Sequence, residues 1–268
     1  MQEDFHLNKW YLDFVSEKGE AMIFYAAGLR WQRLEVKYTS WLHYDPATGV
    51  TNRSGFKNLS FPEIDGRSLF WNDSRFGIVG RWDSIVPTLT ERLFESDEGY
   101  LDWNCHQPAS TVRLKINDRI LEGKGYAEQL ILTMAPWKLP MNELRWGRYG
   151  SPEDQLVWIE IKNDGKQQWV WHKGMKTPDC LITDDQIMLP AEGITLQLNR
   201  QIVLESEKKV QQLVNKLIRY LPGINQSMTV QFLMADECKW LSRATMQKDG
   251  EVVGNGWAIH EFVNFKHG

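Results

Sequence analysis

Cysteine is scarce in this chain and follows no pattern. Cys105, Cys180 and Cys238 are odd in number and far apart, and none belongs to a C-x-x-C pair. Such spacing gives neither a disulfide framework nor a zinc knuckle. Histidine shows no metal-binding spacing either: His6, His43, His106, His172, His260 and His267 include no H-x-H or H-x-x-x-H, so no metal site is expected. There is no G-x-S-x-G, no Walker A loop and no usable Cys–His pair, which leaves those chemistries without a basis in the sequence. Gly123-x-Gly125 sits in a β region with no following helix, so it is no dinucleotide fingerprint, and no cofactor is called for. Lys and Arg number 31 against 35 Asp and Glu, for a net charge of −4, and form no basic stripe, so no nucleic-acid partner is expected. No apolar run approaches the roughly 20 residues of a membrane helix. The opening MQEDFHLNKW has neither a basic start nor an apolar h-region. The expectation is a soluble, cytoplasmic protein with no transmembrane segment.

Tryptophan, in contrast, is abundant. The 268 residues include 13 Trp, in a chain whose 42% hydrophobic and 25% charged content fits one large globular domain or two small ones. Trp10, Trp31, Trp41, Trp71, Trp82, Trp103, Trp158, Trp169, Trp171 and Trp257 lie in strand-like contexts. Such rings either fill the cores of twisted sheets or line a cavity for a flat or polyene-like ligand, because ligand pockets are mostly apolar and aromatic.

Turn signals recur at short intervals. Ser16-Glu17-Lys18-Gly19 closes a first hairpin, Tyr44-Asp45-Pro46-Ala47-Thr48-Gly49 another and Asp73-Ser74-Arg75-Phe76-Gly77 a third. Asn117-Asp118 then leads out of the alternating stretch Val112–Ile116. Regular short strands of this kind predict an all-β protein, an antiparallel barrel or sandwich. One amphipathic helix is expected in the second half. There Val210, Leu213, Val214, Leu217, Ile218 and Leu221 keep a helical period between a Ser206 cap and a Pro222-Gly223 stop. Asp184-Asp185 and Glu91 to Glu98 read as solvated turns.

The most distinctive stretch is Ile120 to Arg148. Strand alternation puts Tyr126, Glu128 and Leu130 on one face and Gly125, Ala127 and Gln129 on the other. Glycines inside a strand mark a bulge or a close backbone approach. The segment Asp118 to Ala127 also echoes Asp249 to Ala258, sharing the skeleton D, an apolar residue or two, then G-x-G-aromatic-A. A Trp-led hairpin appears twice as well, at Trp10-Tyr11-Leu12-Asp13-Phe14 and at Trp158-Ile159-Glu160-Ile161, with Ser151-Pro152-Glu153-Asp154 reading as a junction between halves. Two similar β units are expected, residues 1–145 and 146–268.

These blocks carry a resemblance. K-W-Y-L-D-F-V-S-E-K-G at Lys9 to Gly19 resembles the E-W-W-Y-F-D-A opening of the carotenoid 1,2-hydratase (hydroxyneurosporene synthase) and AttH-like family. L-D-W-N-C-H-Q-P, L-x-G-x-G-Y-A-E, W-K-L-P and L-R-W-G-R resemble its later blocks, in the same order across most of the chain. The resemblance implies two lipocalin-like halves, and tocopherol cyclases and some fungal pericyclases look like relatives. It also implies that Glu128 stands where the family's aspartic acid protonates an isoprenoid double bond. Tyr126 then matches the family tyrosine, and Trp103 the upstream tryptophan. The family frames its acid with histidines and follows it with N-W-G, whereas this chain has Ala127 and Gln129 and lacks N-W-G.

An alkene is a weak base, so an acid that protonates it must be held neutral and dry, and burial raises a carboxyl pKa by up to roughly 3–5 units. A cation formed beside Tyr126 and Trp103 would be stabilised by their ring faces. The expected catalytic group is therefore Glu128, Tyr126 and Trp103, with Trp103, His106, Tyr126, Trp137, Trp146 and Arg148 contacting a hydrophobic small-molecule ligand. The competing reading pairs Glu128 with Arg145 or Arg148 as a buried ion pair. The functional readings are an acid-catalysed hydratase, cyclase or isomerase of an isoprenoid- or polyketide-like molecule, a non-catalytic carrier or sensor, and a pericyclase acting by shape.

Overall fold

The computed structural model describes residues 5–56, 60–205 and 236–265, and the expected helix from Ser206 to Tyr220 lies outside them. The chain divides into two compact units, Met1–Ala135 and Pro136–Gly268. The division falls ahead of the expected 145/146 boundary, because the strand spanning that boundary pairs wholly within the second sheet. Among the described residues no helix is long and apolar enough to cross a membrane.

The first unit comprises β1 (Phe5–Val15), β2 (Ala21–Trp31), β3 (Leu34–Asp45), β4 (Gly49–Gly55), β5 (Glu63–Asp65), β6 (Ser68–Asp73), β7 (Ile78–Ser84), β8 (Leu89–Ser96), β9 (Gly99–Ile116) and β10 (Arg119–Leu132). They form one antiparallel sheet in the order β4-β3-β2-β1-β10-β9-β7-β6-β5, with β8 also on β9. The second unit comprises β11 (Glu143–Gly150), β12 (Gln155–Lys162), β13 (Lys166–His172), β14 (Met175–Lys176), β15 (Leu181–Ile182), β16 (Gln186–Leu189), β17 (Ile194–Glu205), β18 (Asp236–Lys248) and β19 (Glu251–Asn264). Its order, β14-β13-β12-β11-β19-β18-β17-β16-β15, repeats that of the first unit. In each, the first strand pairs with the last, which curls a long meander back on itself. Both units have the lipocalin-like all-β architecture implied by the resemblance.

The predicted hairpin turns at Ser16–Gly19, Asp45–Gly49, Asp73–Gly77 and Asn117–Asp118 are all present. Others need correction. Ser151 to Asp154 is a tight turn inside the second unit, with Ser151 N donating to Asp154 O at 2.8 Å, and it joins β11 to β12. The second unit therefore opens on β11, and Trp158 belongs to its second strand, so the Trp10 and Trp158 hairpins are not counterparts. Most of the Glu91–Glu98 stretch is strand β8 on β9.

The closing echo is real and has a steric cause. Gly125 and Gly256 hold equivalent places in β10 and β19, and a Cβ on either would overlap a main-chain oxygen of the next strand, Asp13 O or Gly150 O. At Gly125 the space is also taken by Trp82, whose indole N–H crosses it to donate to Asp13 O at 2.8 Å. The bend itself lies in β9. Between Gly125 and Glu128 the partner residue runs from Ser110 to Gln107 to Cys105, so β9 carries two bulges. Pro108, which has no N–H to donate, falls in one of them.

One face of the first sheet is its core, formed by Trp10, Leu12, Phe14, Phe24, Trp71, Trp82 and Leu114 with their neighbours. Trp71 and Trp82 are about 1% or less exposed, so their rings fill this interior. Truncating such a ring to alanine typically costs about 3–5 kcal/mol. In the second unit Tyr149, Leu156, Trp158, Val170, Leu196 and Met246 play the same part.

Candidate active site

Glu128 lies on the other face of the first sheet. Its neighbours in register are Tyr11 on β1 and Cys105 on β9. Tyr126 precedes it by two residues with Asp13 opposite, and Trp103 stands opposite Leu130. Strand alternation thus gathers Tyr11, Asp13, Trp103, Cys105, Tyr126 and Glu128 on one side of three strands. All six are buried, and Glu128 is 7% exposed.

Two of the three expected catalytic residues hold the third. Tyr126 donates its hydroxyl to Glu128 Oε2 at 2.5 Å, and the Trp103 indole N–H donates to the same oxygen. Burial pushes the Tyr126 phenol well above its ordinary pKa, so it stays a donor. Cys105 is likewise pushed up, first by burial, and remains a thiol; its Sγ lies 3.7 Å from Ala127 O. A second tyrosine–carboxylate pair stands beside the first. Tyr11 donates to Asp13 Oδ2 at 3.1 Å, and the rings of Tyr11 and Tyr126 meet edge to face at 6.0 Å. Sequence reasoning did not single out Tyr11, Asp13 or Cys105. The signal available was Y-x-D in β1, which has the same spacing as Y-x-E in β10 and is placed antiparallel to it by the register.

His106 points the other way. It stacks on Trp10, a core residue, at 4.9 Å and meets Gln129 at 3.3 Å, so the sheet separates it from Glu128. Burial lowers its pKa. Trp137, Trp146 and Arg148 belong to the second unit. Trp137 is half-buried in the 3-10 turn Pro136–Lys138, and Trp146 and Arg148 are buried on β11 opposite Glu261 and Ile259 of β19. Arg145 is engaged by Glu143, Glu160 and Asp184, each at 3.0 Å. The expected solvated turn at Asp184-Asp185 is exposed, and Asp184 pairs with Arg145 from it.

The second unit repeats the frame without the acid. Counting from the equivalent glycines, Ile259 takes the place of Glu128, with Leu241 and Arg148 opposite. Lys239 takes the place of Trp103 and is bound by Glu205, Glu237 and Glu261 at 2.8–3.2 Å. Elsewhere, Glu20, His43 and Asp45 bring three metal-capable atoms within 4.8 Å of one another. Arg119 already supplies a cation there, 3.2 Å from both Glu20 oxygens.

No protein-family model and no curated protein sequence matches the chain. Solved structures do. A putative AttH from Nitrosomonas europaea is 10% identical, with 98% of this chain and 94% of that chain covered and a TM-score of 0.55. CghA is 13% identical, with 99% and 90% covered and a TM-score of 0.59, and a structure of CghA with Sch210972 matches similarly. Kievitone hydratase from Nectria haematococca is 9% identical, with 96% and 88% covered and a TM-score of 0.55. The chain has the fold of these AttH-like proteins over almost its whole length, as the sequence blocks implied.

Proposed function

We propose that the protein is a cofactor-independent hydratase, cyclase or isomerase of a hydrophobic small molecule of isoprenoid or polyketide type, with Glu128 as its acid. The observation that carries this reading is the double hydrogen bond on one oxygen of a buried carboxyl. An indole N–H can only donate, so Oε2 must accept. In the acid form the proton is therefore on Oε1. A carboxyl so oriented delivers its proton from a fixed atom to a substrate double bond, the arrangement general acid catalysis needs.

The electron pair of the double bond forms the new C–H bond, and Glu128 is left as carboxylate. The carbocation is stabilised by that carboxylate and by the faces of Tyr126 and Trp103, each cation–π contact contributing about 2 kcal/mol when desolvated. Water addition, ring closure or loss of a different proton then completes hydration, cyclisation or isomerisation. In each route the proton released, from the added water or from the atom that ends ring closure or isomerisation, returns to the Glu128 carboxylate. That one fold neighbour is named a hydratase supports the reaction class, while the chemistry rests on this chain's own residues.

The test is the compound that co-purifies with wild type and with Glu128→Gln from the native host, identified by mass spectrometry. Catalysis predicts that the variant retains a precursor whose mass or unsaturation differs from that of the wild-type compound. The same unaltered compound in both samples would identify a carrier.

A further inference from the structure

The proposed reaction uses one of the two tyrosine–carboxyl pairs on this face and gives the other, Tyr11 and Asp13, no part. The antiparallel register sets the two pairs crosswise: Tyr11 is opposite Glu128, and Asp13 is opposite Tyr126. Directly opposed side chains stand about 4.5–5.5 Å apart at Cβ, so Tyr11 is the residue of β1 closest to the acid.

The pairs present opposite members. In the first, Tyr126 is 0% exposed and Glu128 7%, so the carboxyl is the member with access. In the second the order is reversed, with Asp13 at 0% and Tyr11 at 4%. Tyr11 donates to Asp13 Oδ2 at 3.1 Å. A phenol has a single proton, and an oxygen that has committed it can only accept from any further group. Asp13 therefore fixes the polarity of Tyr11 as well as its position. Both residues are held in place. Trp82 donates to Asp13 O at 2.8 Å, and the rings of Tyr25 and Tyr126 meet that of Tyr11 edge to face at 5.4 and 6.0 Å.

A water that captures a carbocation must turn a lone pair towards it. An acceptor that takes one of its hydrogens orients it in that way, whereas a donor would occupy the lone pair. We propose that Tyr11 Oη holds this water and that Asp13 is the positioning residue behind it, a pair that directs the reaction to hydration over ring closure or isomerisation. The inference rests on the acid role of Glu128. Glu128 gives its proton to one alkene carbon, and the water oxygen forms the C–O bond at the other. One water hydrogen points to Tyr11 and stays on oxygen. The other passes to the Glu128 carboxylate, opposite Tyr11, and restores the acid. Tyr11 and Asp13 gain and lose no proton.

The test incubates the compound recovered from Glu128→Gln with full-length protein in water labelled with the heavy oxygen isotope. Mass spectrometry reads the ratio of labelled water adduct to unhydrated product. Wild type should give chiefly the labelled adduct. Tyr11→Phe keeps the ring and should lower the ratio roughly tenfold while still consuming the compound, about the factor that one hydrogen bond supplies. Asp13→Ala removes the acceptor and should lower the ratio as well. Asp13→Asn, whose amide oxygen accepts the same proton, should keep it near the wild-type value. The two Asp13 variants decide the matter if Tyr11→Phe does not fold. An unlabelled, unhydrated wild-type product that still depends on Glu128 would overturn this inference and leave the acid standing. So would a ratio unchanged in Tyr11→Phe. If wild type does not convert the compound, the acid role fails and this inference with it.

Discussion

Tyr126 and Glu128 are two residues apart on one strand, and the hydroxyl of the first donates to Oε2 of the second at 2.5 Å. A side chain usually meets its i+2 neighbour only when both point to the same face of a sheet, which β10 provides. Trp103, on the adjacent strand, closes the same oxygen from the other side of the pair.

That geometry sets a stability order for substitutions of the acid. The amide oxygen of Glu128→Gln still accepts from Tyr126 and Trp103, whereas Glu128→Ala takes that acceptor from both buried donors. Each such loss costs about 1–3 kcal/mol. Glu128→Ala should therefore be at least about 2 kcal/mol less stable than Glu128→Gln in urea denaturation. Equal stabilities would mean that the two donors do not depend on this oxygen.

Gly125→Ala tests the closing echo. The added methyl would overlap Asp13 O and crowd Val112 and the Trp82 indole nitrogen, 2.9 Å away. Overpacking of this kind costs about 1–3 kcal/mol. A loss below about 0.5 kcal/mol, the usual effect of an ordinary surface change, would contradict the close approach.

How much of this was legible in the sequence depends on what each feature rests on. The second glycine of G-x-G-aromatic-A was visible because steric exclusion demands glycine there in both units. The Y-x-E pair was visible because strand alternation is local. The opening echo misled, since tryptophan fills cores from non-equivalent strands: Trp10 is on the first strand of its unit and Trp158 on the second of its own. His106 follows Trp103 closely in sequence, yet alternation puts it across the sheet against Trp10. Tyr11 and Asp13 escaped notice because their partnership with Tyr126 depends on β1 pairing with β10, more than a hundred residues away.

The second unit should respond to pH through His172. Its Nδ1 faces Glu192 at 2.6 Å and its Nε2 faces Asp154 at 2.8 Å, so both nitrogens need protons. Asp154 first, and then Glu192 against the opposing effect of burial, raise its pKa above the ordinary 6.5. A raised folded pKa gives stability that is full below the unfolded value and lost as pH rises through the folded one. His172→Gln should thus cost about 2 kcal/mol near pH 6 and clearly less near pH 9. A cost that grows with pH would reverse the assigned charge state.

The most direct measurement of the central claim follows a proton. The compound recovered from Glu128→Gln is incubated with wild-type protein in D2O, and the product is analysed by mass spectrometry and NMR. An acid that protonates carbon leaves one carbon-bound deuterium in the product, at a defined position, and Glu128→Gln forms no such product. A product without carbon-bound deuterium, formed equally by wild type and variant, would contradict the role given to Glu128 and assign the reaction to shape alone.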